Sequence, residues 1–409
     1  MLTLLLITLG LVAFSYAGYP VVLAGWGALH DLRGALRFFS GGPDRRERSD
    51  PAEWPRVTIV IAAFDEEACI RQKVENCLAL EYPPDRLEIV VGCDGCTDRT
   101  AAVARETGRG RVRVAELSPR QGKASVLARL VPSAQGDIVV LTDANVEFHQ
   151  GAIRALARRF RDPSVGAVVG RLRLRTLDGA GEGAYWAYES FLKYLEGKLG
   201  CVLGANGGIY AIRRILFPSL PGDTITDDFL VPLRIAVRGW KVPFEPTAVA
   251  YEDAPGDPGV EFGRRARIGA GNWQALARLP DLLDPRAGFV AFAFFSHKLL
   301  RWLTPFLLAS ALAANASLAA SPRAWPARLL LLAQLGCYAL AAAGESAGAA
   351  GRAARHFVAM NAALAVGFWR FARGTQRAAW RRTVRTSEGA LRVPRRKLGR
   401  TGSSTPSIP

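Results

Sequence analysis

Cysteine, histidine and methionine are scarce in this chain: its 409 residues include 6 Cys, 4 His and 2 Met. Cys69, Cys77, Cys93, Cys96, Cys201 and Cys337 are too few and too scattered for a disulfide framework at this length, which points to a reducing compartment. Cys93 and Cys96 form a CxxC, but no second Cys or His pair stands at zinc-site spacing, so the motif is read as a turn. His149, His297 and His356 are isolated and receive no role. A glycine-rich phosphate loop is also missing: there is no GxxxxGKS or GxxxxGKT, and no GxGxxG after the first strand. A nucleotide held here would need a metal for its phosphates. Acids are short as well, with 36 Asp and Glu against 53 Lys and Arg, a net charge of +17. The excess is concentrated from Arg370 onward, where eleven basic residues face only Glu388. The rest of the chain is mildly basic, which weakens the case for a continuous nucleic-acid-binding face, and no nucleic acid is expected as a partner. A basic tail beside apolar segments fits anionic lipid head groups on the cytoplasmic side.

Half of the residues are hydrophobic and only 22% are charged, which excludes a disordered, collagen-like or coiled-coil chain. Residues 2 to 27 carry no charge and are long enough to cross a bilayer, so 1–27 is expected to be an N-terminal transmembrane helix. It lacks the basic start and small-residue cleavage site of a signal peptide. Residues 28–55 are basic and rich in breakers, a juxtamembrane linker that places the next segment in the cytoplasm. From 56 to 280, charges are spread throughout and short apolar runs alternate with helical patterns, the mark of a soluble α/β domain. Apolar character returns over 288–371, expected as C-terminal membrane helices, before the basic tail 372–409. The first part, with His297, Lys298 and Arg301, reads as interfacial and is followed by a span from about Leu303. A further span fits 326 to 343. If Phe357 to Phe371 also crossed, domain and tail would lie on opposite sides of the membrane, so this stretch is expected to be re-entrant or interfacial.

Three strands in the middle region end in polar side chains. RVTIVIAAF (56–64) runs into Asp65-Glu66-Glu67, and LEIVVGCD runs into a Gly turn after Asp94. DIVVLTDAN ends in Asp143 and Asn145. The first two, joined by a helical segment, make a parallel βαβ unit, whose ligands sit at the carboxyl edge of the strands. Asp143 and Asn145, two apart on extended chain, point the same way and can share a hard divalent cation.

In this order, VTIVIAAFDEE, EIVVGCDGCTDRT, GKASVLAR and IVVLTDANVEF resemble the donor half of family 2 glycosyltransferases. The resemblance continues through LGANGGIYAIRRILF, TITDDFLVPLRIAVRGWKVPFEP and GRRARIGAGNWQAL, covering about Arg56 to Leu276. The flanking apolar segments resemble the membrane-bound members that build polysaccharides. This implies an α/β fold of the GT-A type: a mostly parallel central sheet in a nucleotide-diphospho-sugar transferase domain, with transmembrane or interfacial helices at both ends. It implies Ala63, Phe64 and Glu66 at the nucleotide, Asp94 at the base or ribose, and Lys123 near the donor. Asp143 would hold the diphosphate and, with Asn145, a Mg²⁺ or Mn²⁺ ion. Asn145 departs from the family's second acid, and a neutral ligand implies weaker metal affinity.

Asp228 matches the catalytic base, and Asn206, Gly207 and Asp227 the acceptor side, with capping of the following helix an alternative role for the two acids. Gly208 completes a loop of small residues that lets an acceptor approach the backbone. Arg265 and Arg267 persist from the signature Gln-x-x-Arg-Trp of processive members and would clamp the diphosphate. Arg264 and Ile268 replace its Gln and Trp, which argues against processive polymerisation. Trp240 and Trp273 are candidates for sugar stacking or for core packing. The expected activity is inverting transfer from a nucleotide sugar, a UDP-sugar by the resemblance, to a lipid-linked or growing glycan acceptor. A processive synthase and a non-catalytic membrane scaffold of the same fold are the alternatives.

Overall fold

The computed structural model describes residues 1–39, 50–175, 180–253, 258–321 and 325–378. Residues 40–49 of the expected linker and the tail beyond Ala378 lie outside the described residues. At the N-terminus, α1 (Leu2–Ala13) passes through a π turn (Phe14–Gly18) into α2 (Tyr19–Phe39) without interruption. The linker therefore starts later than expected: residues 28–39 continue the helix, because Leu, Ala and Arg are good helix formers and no breaker stronger than Gly34 intervenes. Asp31 on this extension pairs with Lys198.

Eight strands follow, joined by helices. They begin with β1 (Val57–Ala63), α3 (Glu67–Leu78), β2 (Leu87–Asp94), α4 (Thr100–Gly108) and β3 (Val112–Leu117). Next come α5 (Lys123–Leu130), β4 (Ile138–Asp143), β5 (Glu147–Phe148), α6 (Ala152–Arg159) and β6 (Ala167–Arg175). The domain closes with α7 (Ala180–Lys198), β7 (Tyr210–Arg213), α8 (Asp227–Ala236), β8 (Phe244–Asp253) and α9 (Pro258–Arg278). They form one sheet in the order β3-β2-β1-β4-β7-β6-β8-β5. β1, with all seven residues buried, is central and pairs in parallel with β2 on one side and β4 on the other. Burial on both faces is why it reads as an unbroken apolar run rather than an alternation. β7 is antiparallel to β4 and β6, which restores the direction of β6 and β8 to that of β4. The chain winds outward from β1 to β3, then returns to the far side of β1 as β4. The carboxyl ends of β1 and β4 thus flank a topological switch point, where α/β sheets open a crevice.

Helices α3, α4 and α6 cover one face of the sheet over a core of Ile59, Ile61, Val74, Ile89, Val140 and Leu156. On the other face, Val60, Leu127, Leu141 and Leu233 share a core with Tyr19, Leu23, Phe294 and Trp302 from outside the domain. The apolar segments are therefore built into the domain's own core. They comprise α10 (Phe289–Ala293), a π turn (Phe294–Leu299), α11 (Leu300–Ala319), α12 (Trp325–Ala343) and α13 (Gly348–Ala372). Among the described residues, three helical stretches are long and apolar enough to cross a membrane: Leu2–Arg33, Phe289–Ala319 and Trp325–Ala372. The last is broken at Gly344 and Gly348, both with positive φ, into α12 and α13. The stretch expected at Phe357 to Phe371 is the later part of α13, which starts nine residues earlier and packs along α9.

This packing depends on glycine. A Cβ at Gly367 would lie 2.7 Å from the Ala266 carbonyl oxygen and 2.8 Å from the Ala270 nitrogen, both main-chain atoms that cannot swing aside. Gly367→Val should therefore force α13 off α9 and destabilise the fold by about 1–3 kcal/mol, the usual cost of overpacking. Thermal unfolding in detergent checks this; an unchanged midpoint would mean that the two helices do not pack as described.

Candidate active site

A cleft of about 1280 Å³ opens at the switch point and runs on to the apolar helices. Its floor is built from four elements. β4 delivers Asp143 at its last residue, opposite Ala62 of β1. α5 begins at Lys123, whose Nζ lies 2.7 Å from Asp143 Oδ1 and 3.6 Å from Asp227 Oδ2. α8 begins at Asp227 and turns Asp228 into the cleft. The loop before β7 brings in Gly207, at which an added Cβ would sit 3.2 Å from Asp143 Oδ2, 3.3 Å from Asp228 Oδ2 and 3.5 Å from Lys123 Nζ. Any larger residue there would fill the space these three groups enclose.

Electrostatics follow from this crowding. Burial alone would lower the Lys123 ammonium, but the carboxylates of Asp143, Asp227 and Asp228 outweigh it and hold the group above its ordinary value. Asp228 is pushed up to about 6, by burial first and then by the charge of Asp227, against the pull of Lys123 and Arg267. Asp227 points inward and accepts a hydrogen bond from the Tyr210 hydroxyl at 3.2 Å. Burial, reinforced by Asp227 and Asp228, raises that phenol well above its usual range. Both acids line the cleft, but Asp227 is the more buried and is bonded to Tyr210. Both also stand in the first turn of α8 after the N-cap Thr226, as the alternative role expected, though no side chain makes a capping hydrogen bond there.

The remaining expected residues fall into three groups. Glu66, Asn145, Asn206, Gly207, Arg265 and Arg267 line the same cleft. Arg267 donates to the Ile225 carbonyl at 3.1 Å, while Arg264 and Arg265 share Glu261. Ala63 is fully buried in the sheet core and does not line the cleft; its neighbour Ala62 does. Phe64 has the Arg120 guanidinium 3.4 Å above its ring, so a base stacked on that face would displace Arg120. Asp94 is 1% exposed, and its two oxygens accept the Gln121 and Gly122 amides at 2.8 and 2.7 Å. This carboxylate fixes the turn from which Lys123 rises and lies outside the cleft lining. The two Trp candidates pack instead of facing the cleft: Trp273 against Trp302 and Phe368, Trp240 against the apolar core.

The donor atoms at the end of β4 suit a hard divalent cation. Asp143 turns Oδ2 toward the cleft, and Asn145 donates through Nδ2 to Glu252 Oε1 at 3.1 Å, which leaves its amide oxygen as the ligating atom. Glu252 and Asp253, at the end of β8, also line the cleft, and sequence reasoning missed them. The signal was present: AVAYED is another strand ending in acids, at the same carboxyl edge as Asp143. Asp65, Cys96 and Asp98 also cluster, but Asp65 and Asp98 hold turn amides of Thr97, Glu67 and Thr100.

The chain is similar to known proteins over much of its length. A family profile described as "Glycosyltransferase like family 2" matches residues 55–271, and the chain belongs to that family. It is 28% identical over 277 residues to the probable glycosyltransferase YdaM of Bacillus subtilis, covering 61% of this chain and 63% of the relative. It is 27% identical over 202 residues to the beta-monoglucosyldiacylglycerol synthase of Synechocystis, covering 46% and 42%. With the poly-beta-1,6-N-acetyl-D-glucosamine synthase of Staphylococcus aureus the identity is 26% over 231 residues, covering 54% and 56%. The chain thus spans about two fifths to three fifths of the length of these relatives. Among solved structures, a mannosyltransferase from Pyrobaculum calidifontis, in complex with GDP-Man and Mn²⁺, matches with a TM-score of 0.66 and 25% identity. That match covers 90% of this chain and 99% of the mannosyltransferase. The fold is GT-A, and the chain is related to polysaccharide and glycolipid synthases.

A carboxyl held at about 6 is more easily protonated in the folded protein than in the unfolded chain, where it titrates near 3.8. Its neutral form favours folding, and that contribution is lost as pH rises through about 6. Asp228→Asn, which mimics the neutral form, should raise the thermal midpoint above pH 6 and leave it unchanged below pH 4. A variant less stable than the parent at pH 7.5 would contradict this placement of the charge.

Proposed function

We propose that the protein is a membrane-anchored, inverting glycosyltransferase that moves a sugar from a nucleotide-diphospho-sugar to a lipid-linked or growing glycan acceptor. The observation that carries this reading is the convergence of Asp143, Lys123 and Asp228 on the space beside Gly207, in a cleft at the switch point of the sheet. Asp228 accepts the proton of an acceptor hydroxyl as that oxygen attacks the anomeric carbon from the face opposite the leaving group. The anomeric C–O bond breaks, and the nucleoside diphosphate departs with the electron pair. Lys123, Arg265 and Arg267 supply positive charge to that leaving group, and Gly207 leaves room for the reacting centre. A divalent cation held by Asp143 and Asn145, Mg²⁺ or Mn²⁺, supplies neutralisation of the diphosphate when bound. The Mn²⁺ and GDP-mannose in the Pyrobaculum structure support a metal and make GDP-sugars as eligible as UDP-sugars.

The membrane placement rests on the outward apolar faces of the long helices. Leu6, Ile7 and Val21 near the N-terminus and Leu329, Leu332 and Leu335 on α12 are exposed. Such surfaces are unfavourable in water and natural in lipid. The reading is multi-pass insertion, with the basic residues after the first helix and in the tail supporting a cytoplasmic sheet domain and α13 lying against α9 rather than crossing alone. Arg264 and Ile268, where processive relatives carry Gln and Trp, favour single transfer over polymerisation.

With a nucleotide-sugar panel, Asp228→Asn should lower kcat by about 10²–10⁴-fold while leaving donor-induced thermal stabilisation intact. Undiminished transfer would remove Asp228 from the base role. The neutral amide at 145 gives a second test. Asn145→Asp would set two carboxylates side by side at Glu252, so the metal-free protein should melt lower while Mn²⁺ binds about tenfold or more tightly with the added charge. A Mn²⁺ titration followed by thermal shift measures both, and unchanged metal affinity would take residue 145 out of the metal shell.

A further inference from the structure

At the inner end of the cleft, away from β4, α7 faces the helix that leads into α11. Glu189 and Lys193 stand one turn apart on α7, with Lys298 and Arg301 opposite, and all four line the cavity. Arg301 pairs with Glu189, and Lys298 Nζ lies 3.9 Å from the same carboxylate. Lys193 donates to Asn206 Oδ1 at 2.5 Å, and Asn206 directly precedes Gly207 of the catalytic floor. The other acid nearby, Glu196, is occupied by the Tyr19 hydroxyl at 2.9 Å and by His297 Nδ1 at 2.5 Å. Among the described residues, three cations and the Glu189 carboxylate line this end of the cavity, and the charges of Glu196 and Asp228 also reach Lys193. Burial first, and then the repulsion of Lys298, lowers the Lys193 ammonium to about 8. Glu189 is already paired with Arg301 and Lys193 bonds only the neutral Asn206 amide oxygen, so an anion seated between Lys193 and Lys298 would offset the cost of burying them. Beyond them, Trp302, Phe357, Met360 and Leu364 from α11 and α13 make the wall apolar.

We propose that this chamber is a lipid-headgroup site, in which the phosphate of an anionic lipid acceptor seats between Lys193 and Lys298 and its hydrocarbon runs along Trp302, Phe357 and Met360. A phosphate offers several oxygens at once to two ammonium groups, which a neutral headgroup cannot match. Asn206 then links the lipid to the catalytic floor, so a group carried on that phosphate extends toward Asp228. The lipid's role as acceptor rests on the proposed transfer reaction; the phosphate site itself rests on charge and shape alone.

The test uses the full chain in a neutral maltoside detergent and three probes: dodecyl phosphate, dodecanol and inorganic phosphate. Dodecyl phosphate should stabilise the protein against heat and bind about tenfold or more tightly than either of the others, the range expected for charge-assisted hydrogen bonds. Lys298→Met should abolish that preference, and Lys298→Arg should keep it. Stabilisation by Mn²⁺ with a nucleotide sugar, measured alongside, should be the same in Lys298→Met as in the parent, which excludes misfolding. Equal binding of dodecanol would make the chamber merely apolar and overturn the proposal. Equal binding of inorganic phosphate would assign the cations to a soluble anion, and a preference that survives Lys298→Met would remove them from the site; either result overturns it too. Should no nucleotide sugar bind or turn over while dodecyl phosphate keeps its preference, the transfer reading fails and the lipid-phosphate site stands.

Discussion

Asp143, Asp227 and Asp228 reach the floor of one cleft from two different elements, and like charges that close cannot all remain ionised out of water. The Lys123 ammonium, 2.7 Å from Asp143 and 3.6 Å from Asp227, is what allows them to share the site. Much of the surrounding structure serves to hold that ammonium in place. Asp94 anchors the Gln121–Gly122 turn from which α5 rises, and Tyr210 draws Asp227 inward and leaves Asp228 facing the cleft. The acids thereby acquire unequal environments. One is bonded and interior; the other faces substrate space with its carboxyl pushed up to about 6. A proton acceptor near neutrality needs that inequality, which no single residue could provide.

The strands that carry the site, and the edge at which it opens, were legible in the sequence because both rest on local patterns. Unbroken apolar runs marked β1, β2 and β4 as strands, the first two as a parallel pair, and their polar endings marked the carboxyl edge. Ordered motifs supplied Asp143, Asp228 and Lys123, which do meet. What escaped was set by tertiary contact. Nothing in GCDG says that the Asp94 oxygens will be consumed by backbone amides 27 and 28 residues away. Nor does IAAFD say that Ala63 faces the core and Ala62 the cleft, since a one-residue change of phase on a fully buried strand leaves hydrophobicity unaltered. Glu252 was readable as one more strand-end acid, but its link to Asn145 spans 107 residues. The N-terminal helix ran past its expected end because a switch from apolar to basic composition ends hydrophobicity, not helicity.

The cleft is not a property of the sheet domain alone. α9 carries the three arginines, and α13 presses against it through the Gly269–Gly367 contact, so the basic wall is positioned by a helix from the C-terminal apolar region. Position 268 holds Ile where processive relatives have Trp, yet an aromatic still lines the cleft: Trp302, from α11, buttressed by Trp273 and Phe294. Tyr19 and His297 close the same junction around Glu196. Separating the apolar helices from the domain would strip one wall of the cleft and expose the core residues Leu23, Phe294 and Trp302. A buried carboxylate left without its tyrosine and histidine would add the cost of an uncompensated charge. Domain and helices therefore have to fold as one body, and chemistry at the floor of the cleft is coupled by packing to whatever enters from the helix side.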